Sequence, residues 1–167
     1  ELPYLAFRTA DCGRGKSRAL EAVGAICYRP LFVGGGSSSA AVLRLLDSFG
    51  GTLVADEFDN HHDSELTADI IRILNQGFQR RRPLLKCCGE DNEPKPFRCY
   101  GPKVFALRKK LGDDATESRT ISVKMEQRTR RDIPLSLPRV RFDREALAIR
   151  NKLLGWRFKN LGNVAVD

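Results

Sequence analysis

The chain has 167 residues, a formal net charge of +8, 41% hydrophobic residues and 30% charged ones. That length fits about one domain, and the mixed charge excludes a disordered or collagen-like polymer. No apolar run reaches the 18 residues a membrane helix needs, so no membrane partner is expected. The chain opens on Glu1 already inside a strand-like pattern and reads as a fragment of a longer protein. Its charge is uneven: residues 1–60 hold six Lys and Arg against seven Asp and Glu, and residues 61–167 hold 23 against 14. The basic excess therefore lies downstream, in runs such as Arg80-Arg81-Arg82, Arg108-Lys109-Lys110 and Arg128 to Arg131. Such runs suggest a polyanion, nucleic acid above all, as partner.

From the N-terminus, Leu2 to Arg8 is an apolar, aromatic strand. Arg18 to Ile26 carries Leu20, Val23 and Ile26 at helical spacing. Between them stands Ala10-Asp11-Cys12-Gly13-Arg14-Gly15-Lys16-Ser17, which resembles the P-loop pattern G-x-x-x-x-G-K-[ST] with alanine at the first glycine. In that pattern backbone N–H groups cradle phosphates, the lysine reaches the β and γ phosphates, and the hydroxyl holds Mg²⁺. Asp11 to Arg18 are thus the expected nucleotide contacts.

Pro30 to Val33 reads as a second strand, followed by a Gly-Ser loop with a serine helix cap. Ala41, Val42, Leu45, Leu46 and Phe49 then form a helical stripe ending at Gly50-Gly51. Thr52 to Glu57 is an apolar strand ending in Asp-Glu, the Walker B arrangement, which assigns Asp56 to Mg²⁺ and Glu57 to activation of the attacking water. Asp63 to Phe78 is an amphipathic helix. Pro83 to Cys88 and Pro96 to Tyr100 read as a β-hairpin with a polar tip over residues 89–95. Lys103 to Leu107 is a buried strand and Thr120 to Met125 a last, alternating one. A basic, proline-containing stretch over 128–141 leads to a helix over Arg144 to Asn160.

The five cysteines, Cys12, Cys27, Cys87, Cys88 and Cys99, show no C-x₂-C pair, so buried free thiols in a reducing cytosol are expected rather than zinc or a disulfide framework. The adjacent His61 and His62 form no metal cluster.

Taken in order, the Lys16 loop, the Gly-Ser loop, Gly51 to Asp59, the hairpin, and Glu117-Ser118-Arg119 resemble the AAA+ ATPases, most closely the minichromosome-maintenance-type helicases and related ATPases of phages and mobile elements. The resemblance implies an α/β three-layer sandwich with a parallel five-stranded sheet in order 5-1-4-3-2 and a hairpin insertion. It implies an ATPase core over residues 1–137 and the start of a helical lid over 138–167. It further implies ATP and Mg²⁺ as cofactors, a hexameric ring as the homo-oligomer, DNA-dependent hydrolysis during replication, and Arg119 as an arginine finger on the neighbour's γ-phosphate. Arg119 paired on the surface with Glu117, Asp113 or Asp114 is the plain alternative. The family's sensor position falls on Ala106-Leu107-Arg108, with Arg108 as the substitute and Arg150 as a candidate second sensor. The acidic hairpin tip repels phosphate, so DNA contact falls to Lys86, Arg98 or residues elsewhere.

Overall fold

Tyr4–Arg8 forms β1, whose residues alternate between the two faces of a sheet. Tyr4 and Ala6 are buried on one face, and Phe7 packs on the other beside the partly buried Leu5. The computed structural model of the chain describes residues 1–34, 36–56, 64–88, 91–134, 136 and 138–162, with only the backbone for 64–67. After β1 the chain runs through α1 (Lys16–Ile26), β2 (Pro30–Val33), α2 (Ser39–Phe49), β3 (Thr52–Asp56) and α3 (Ser64–Gly77). It continues through β4 (Leu84–Cys88), β5 (Glu93–Phe97), β6 (Lys103–Leu107), α4 (Asp114–Ser118), β7 (Thr120–Lys124) and α5 (Arg139–Lys159).

Five strands form one parallel sheet in the order β2-β3-β6-β1-β7, and β4 with β5 forms a separate antiparallel ribbon. Counting the ribbon shifts the later strand numbers. Counted within the sheet alone, the order from one edge is 2-3-4-1-5, and from the other 5-1-4-3-2.

Central β6 is buried at every residue, as a parallel strand covered on both faces must be. One face packs Leu53, Ala55, Phe105 and Leu107 against Val42, Leu43 and Leu46 of α2 and Ile70, Ile73 and Leu74 of α3. The other packs Val54, Val104 and Ala106 against Leu20 of α1. Gly24 lets α1 sit close here, because a Cβ in its place would meet the Phe32 ring at 2.6 Å. The result is a three-layer α/β sandwich with α5 against the outside of α1, where Arg139 pairs with Glu21 and the Arg157 guanidinium lies 4.7 Å from the Tyr28 ring centroid.

Ser38 caps α2, its hydroxyl accepting from Ala41 N–H at 3.3 Å. The α2 stripe lies differently from expectation: Leu43 is buried, while Leu45 and Phe49 are exposed. Phe49 is the last residue of the helix.

β5 begins at Glu93, so Pro94 and Pro96 belong to the strand and the expected seven-residue tip is shorter. A two-stranded ribbon leaves one side of each strand unpaired, and proline is compatible with that side. α4 is an addition to the expected elements, and its N-cap is Asp113, whose carboxylate accepts from Thr116 N–H at 2.8 Å. α5 starts five residues before the predicted Arg144, directly after Pro138, and only Ala146 of the helix is buried. Of the cysteines, Cys99 is buried, Cys27 and Cys88 are partly so, and Cys12 and Cys87 are exposed, which corrects the uniform buried-thiol expectation.

Candidate functional site: a phosphate-type loop and a cavity at the strand ends

The loop between β1 and α1 stands at the carboxyl ends of the parallel strands, where open α/β sheets leave a crevice for ligands. Gly13 and Gly15 have φ of 73° and 82°, conformations that favour glycine strongly. Ala10, in place of the pattern's first glycine, is not in the positive-φ region, so the substitution carries no backbone strain.

Gly15 is the N-cap of α1, and because glycine has no side chain, no side-chain hydrogen bond caps the helix. Its first turn also holds no acidic residue. The leading N–H groups of an uncapped helix are donors without intrahelical acceptors, and together with the helix dipole they favour an anion. They open onto a cavity of about 870 Å³.

Cys12 to Arg18 line this cavity, and Asp56 enters it from the end of β3. Asp56 sits there because β3 pairs with β6 in a register that sets Asp56 beside Ala106, itself a lining residue. Lys16 folds back within the loop, its Nζ donating to the Thr9 carbonyl at 2.7 Å. Ser17 is exposed at the cavity.

Among the described residues no group of three or more His, Cys, Asp or Glu side chains is arranged to hold a metal. A magnesium ion bound with a nucleotide does not need one, since phosphates and water supply most of its oxygens. Ser17 and Asp56 are the pair whose donors fit that role.

Two of the expected contacts do other work. Asp11 is not on the cavity wall; its carboxylate accepts from Arg14 Nη2 at 2.8 Å and Nε at 3.1 Å, bracing the loop from outside. Arg18 donates to the Pro134 carbonyl, tying α1 to the segment after β7. That segment forms the far wall through Met125 to Arg130 and Ile133, with Arg108 from the end of β6. Apart from the substitute-sensor role given to Arg108 and the basic run at Arg128 to Arg131, nothing in the sequence marks these residues as a wall of this cavity, because they follow a strand as an irregular stretch with no spacing rule. Glu57, Asp59, His61 and His62 lie outside the described residues.

Arg119 is far from this loop. Its carbonyl accepts from Tyr4 N–H at 2.9 Å, so it stands beside the beginning of β1, one strand length from the cavity. Its guanidinium donates to the Asn75 side-chain oxygen at 3.0 Å and lies 4.8 Å from the Phe78 ring centroid. The surface pairing with Glu117, Asp113 or Asp114 is thus replaced by contacts to α3 and the residue just beyond it. Glu117 instead takes a two-pronged pair from Arg8, 2.8 Å on each arm, and accepts from Leu111 N–H at 2.7 Å. Burial raises the Glu117 carboxyl, but the Arg8 fork and the Leu111 amide outweigh it and hold its pKa below the ordinary value.

Lys86 Nζ donates to the Asp69 carboxylate at 2.8 Å, and Asp69 also accepts from Ser39. Near the opposite end of the sheet, Lys103 is buried with its Nζ donating to the carbonyls of Gly77, Cys99 and Gly101. Burial pushes its pKa down to about 8.

No protein-family model matches the chain, and no curated protein matches it either.

Proposed function

We propose that the chain is an ATP-binding and ATP-hydrolysing core of the AAA+ kind, acting as a replication motor or helicase on DNA in a phage or mobile element. The observation that carries this reading is the uncapped N-terminus of α1, which opens onto a cavity that also holds Lys16, Ser17 and Asp56. A triphosphate with Mg²⁺ satisfies every one of those groups. Its oxygens would accept from the helix amides, Lys16 would exchange the Thr9 carbonyl for the β and γ phosphates, and Ser17 and Asp56 would hold the metal. Glu57, next after Asp56, is the assigned base for the attacking water.

The strand order and the ribbon inserted before β6 are consistent with this family. The free state of all five thiols fits a reducing, cytoplasmic setting. In the assembled form ATP sits between subunits of a homo-oligomeric, hexameric ring, and Arg119 reaches the neighbour's γ-phosphate from the far end of the sheet.

A second reading, a nucleotide-dependent binding module with weak or no hydrolysis, is favoured by one feature. The Arg119 guanidinium is already held by Asn75 and Phe78 of its own chain. Measuring ATP turnover with and without single-stranded DNA separates the two. Stimulated turnover supports the motor, and ATP binding without turnover supports the module. A third outcome, turnover indifferent to DNA, points to a protein-remodelling ATPase.

A further inference from the structure

A second cleft of about 800 Å³ lies near the other end of the sheet, and shares no lining residue with the nucleotide cavity. Four separate pieces of chain build it: the residue before β2, the end of α2, the segment joining α3 to β4, and Pro96 of β5 with the loop that follows it. Its charge comes from Arg29, Arg80, Arg81, Arg82 and Arg98, against the single acid Asp47. Asp47 is already engaged, accepting from Arg98 N–H at 2.9 Å and lying 3.5 Å from Arg98 Nε. Arg80, Arg81 and Arg82 are exposed, and among the described residues none of them forms an ion pair. Phe49 and Tyr100 add ring faces to the same cleft, 57% and 36% exposed.

Backbone geometry marks the place independently. Among the described residues three that are not glycine have positive φ, and two of them, Arg29 at 46° and Arg81 at 72°, line this cleft. Such conformations disfavour a side chain of this size and persist where the surroundings enforce them. Gly51 lets the chain pass close to Arg29: a Cβ there would lie 2.4 Å from the Arg29 carbonyl oxygen. Lys103 provides a further clamp, joining the end of α3, from which the arginine run departs, to the loop that carries Tyr100.

We propose that this cleft binds single-stranded nucleic acid, with the arginines on successive phosphates and Phe49 and Tyr100 stacking on bases. Guanidinium groups pair with phosphate oxygens in a planar fork, and exposed rings stack on unpaired bases of any sequence. A duplex hides its base faces, and an acidic peptide offers carboxylates without planar partners for the rings. The site deepens the DNA part of the function proposed above and rests on that part alone.

The test uses binding of fluorescein-labelled oligothymidylate to the whole chain, followed by anisotropy over a range of salt. Binding of a fluorescent ATP analogue and the melting profile serve as controls on the fold. With Arg80, Arg81 and Arg82 all changed to Ala, affinity should fall at least about tenfold. The slope of log affinity against log salt should also flatten by about 0.7 for each phosphate no longer neutralised. Phe49→Ala should weaken binding by roughly 5- to 100-fold, the range expected when one ring stops stacking, with the slope unchanged. ATP-analogue binding should match the parent in both variants.

If the parent binds the oligonucleotide and both variants bind it equally well, the cleft assignment is overturned and the DNA reading survives. If the parent does not bind it at all, both fall. Polyglutamate competing as well as the oligonucleotide, with no effect of Phe49→Ala, would make the cleft a general polyanion surface and overturn the proposal.

Discussion

Lys16 Nζ donates to the Thr9 carbonyl at 2.7 Å, so the lysine that should meet a triphosphate is held by the loop's own backbone. Lys16→Ala removes the charge that offsets the phosphates. A hydrogen bond to a charged group contributes about 1.5–3 kcal/mol, so ATP affinity should fall by roughly 10- to 100-fold or more. Titration with a fluorescent ATP analogue checks this, and unchanged affinity would remove the nucleotide reading altogether.

Glu57→Gln should still bind ATP with Mg²⁺ while turning over about 10² to 10⁴ times more slowly, as for a missing general base. Phosphate release under saturating ATP measures it. Normal hydrolysis would pass the role to another acid, Asp59 first.

Arg119→Ala removes a hydrogen bond to Asn75 and a contact with the Phe78 ring. In the isolated chain it should lower stability by about 1–2 kcal/mol, read from denaturant unfolding. Mixing it with Lys16→Ala tests the trans role, since a mixed ring contains interfaces with an intact Lys16 on one side and an intact Arg119 on the other. Regained turnover identifies a finger, and no recovery in co-assembled preparations leaves Arg119 as a brace for α3.

Asp69 accepts from Lys86 and Ser39 at 2.8 and 2.9 Å and pairs with Arg72 at 3.0 Å. The Lys86 hydrogen bond leads in holding its pKa below the usual 3.8, against a smaller opposing effect of burial. A folded-state pKa below the unfolded one means that this group's stabilisation is complete above about pH 4 and is lost as the pH falls through the folded value. Asp69→Asn should therefore flatten the acid limb of the stability profile below about pH 4, as followed by thermal melting. An unchanged limb would mean that other carboxylates govern it.

Lys103→Met leaves the carbonyls of Gly77, Cys99 and Gly101 without their shared donor. With about 1–3 kcal/mol for each buried group left unpaired, a destabilisation of at least about 2 kcal/mol is expected even after the relief of burying no charge. Chemical denaturation measures it.

The position of the loop between β1 and α1 was legible because its signal is local: two glycines, a lysine and a serine stand close together where a strand pattern gives way to a helix pattern. Asp56 was legible for the same reason, at the end of an apolar run. The strands of the sheet emerged from apolar runs and β7 from its alternation. Arg119's partners were not legible, since Asn75 lies 44 positions away and asparagine carries no periodic signal. The arginine cleft was invisible as a site because positions 29, 80–82 and 98 converge only after the sheet has formed. α4 escaped because its five residues are shorter than any helical period can establish. β5 was expected three residues late, from Pro96 rather than Glu93, because Pro94 argues against a strand unless the strand is known to lie in an isolated ribbon.

The two-armed pair between Arg8 and Glu117 joins the end of β1 to α4. A fork of this kind permits essentially one mutual orientation, so β1 and α4 behave as a single lever arm with Thr9 at one end and the lead-in to Arg119 at the other. Across the cavity, by contrast, residues 125–134 meet α1 through the exposed Arg18 to Pro134 hydrogen bond. The far wall of the cavity is thus tied to α1 by an exposed hydrogen bond, whereas the end of β1 is joined to α4 by a part-buried fork.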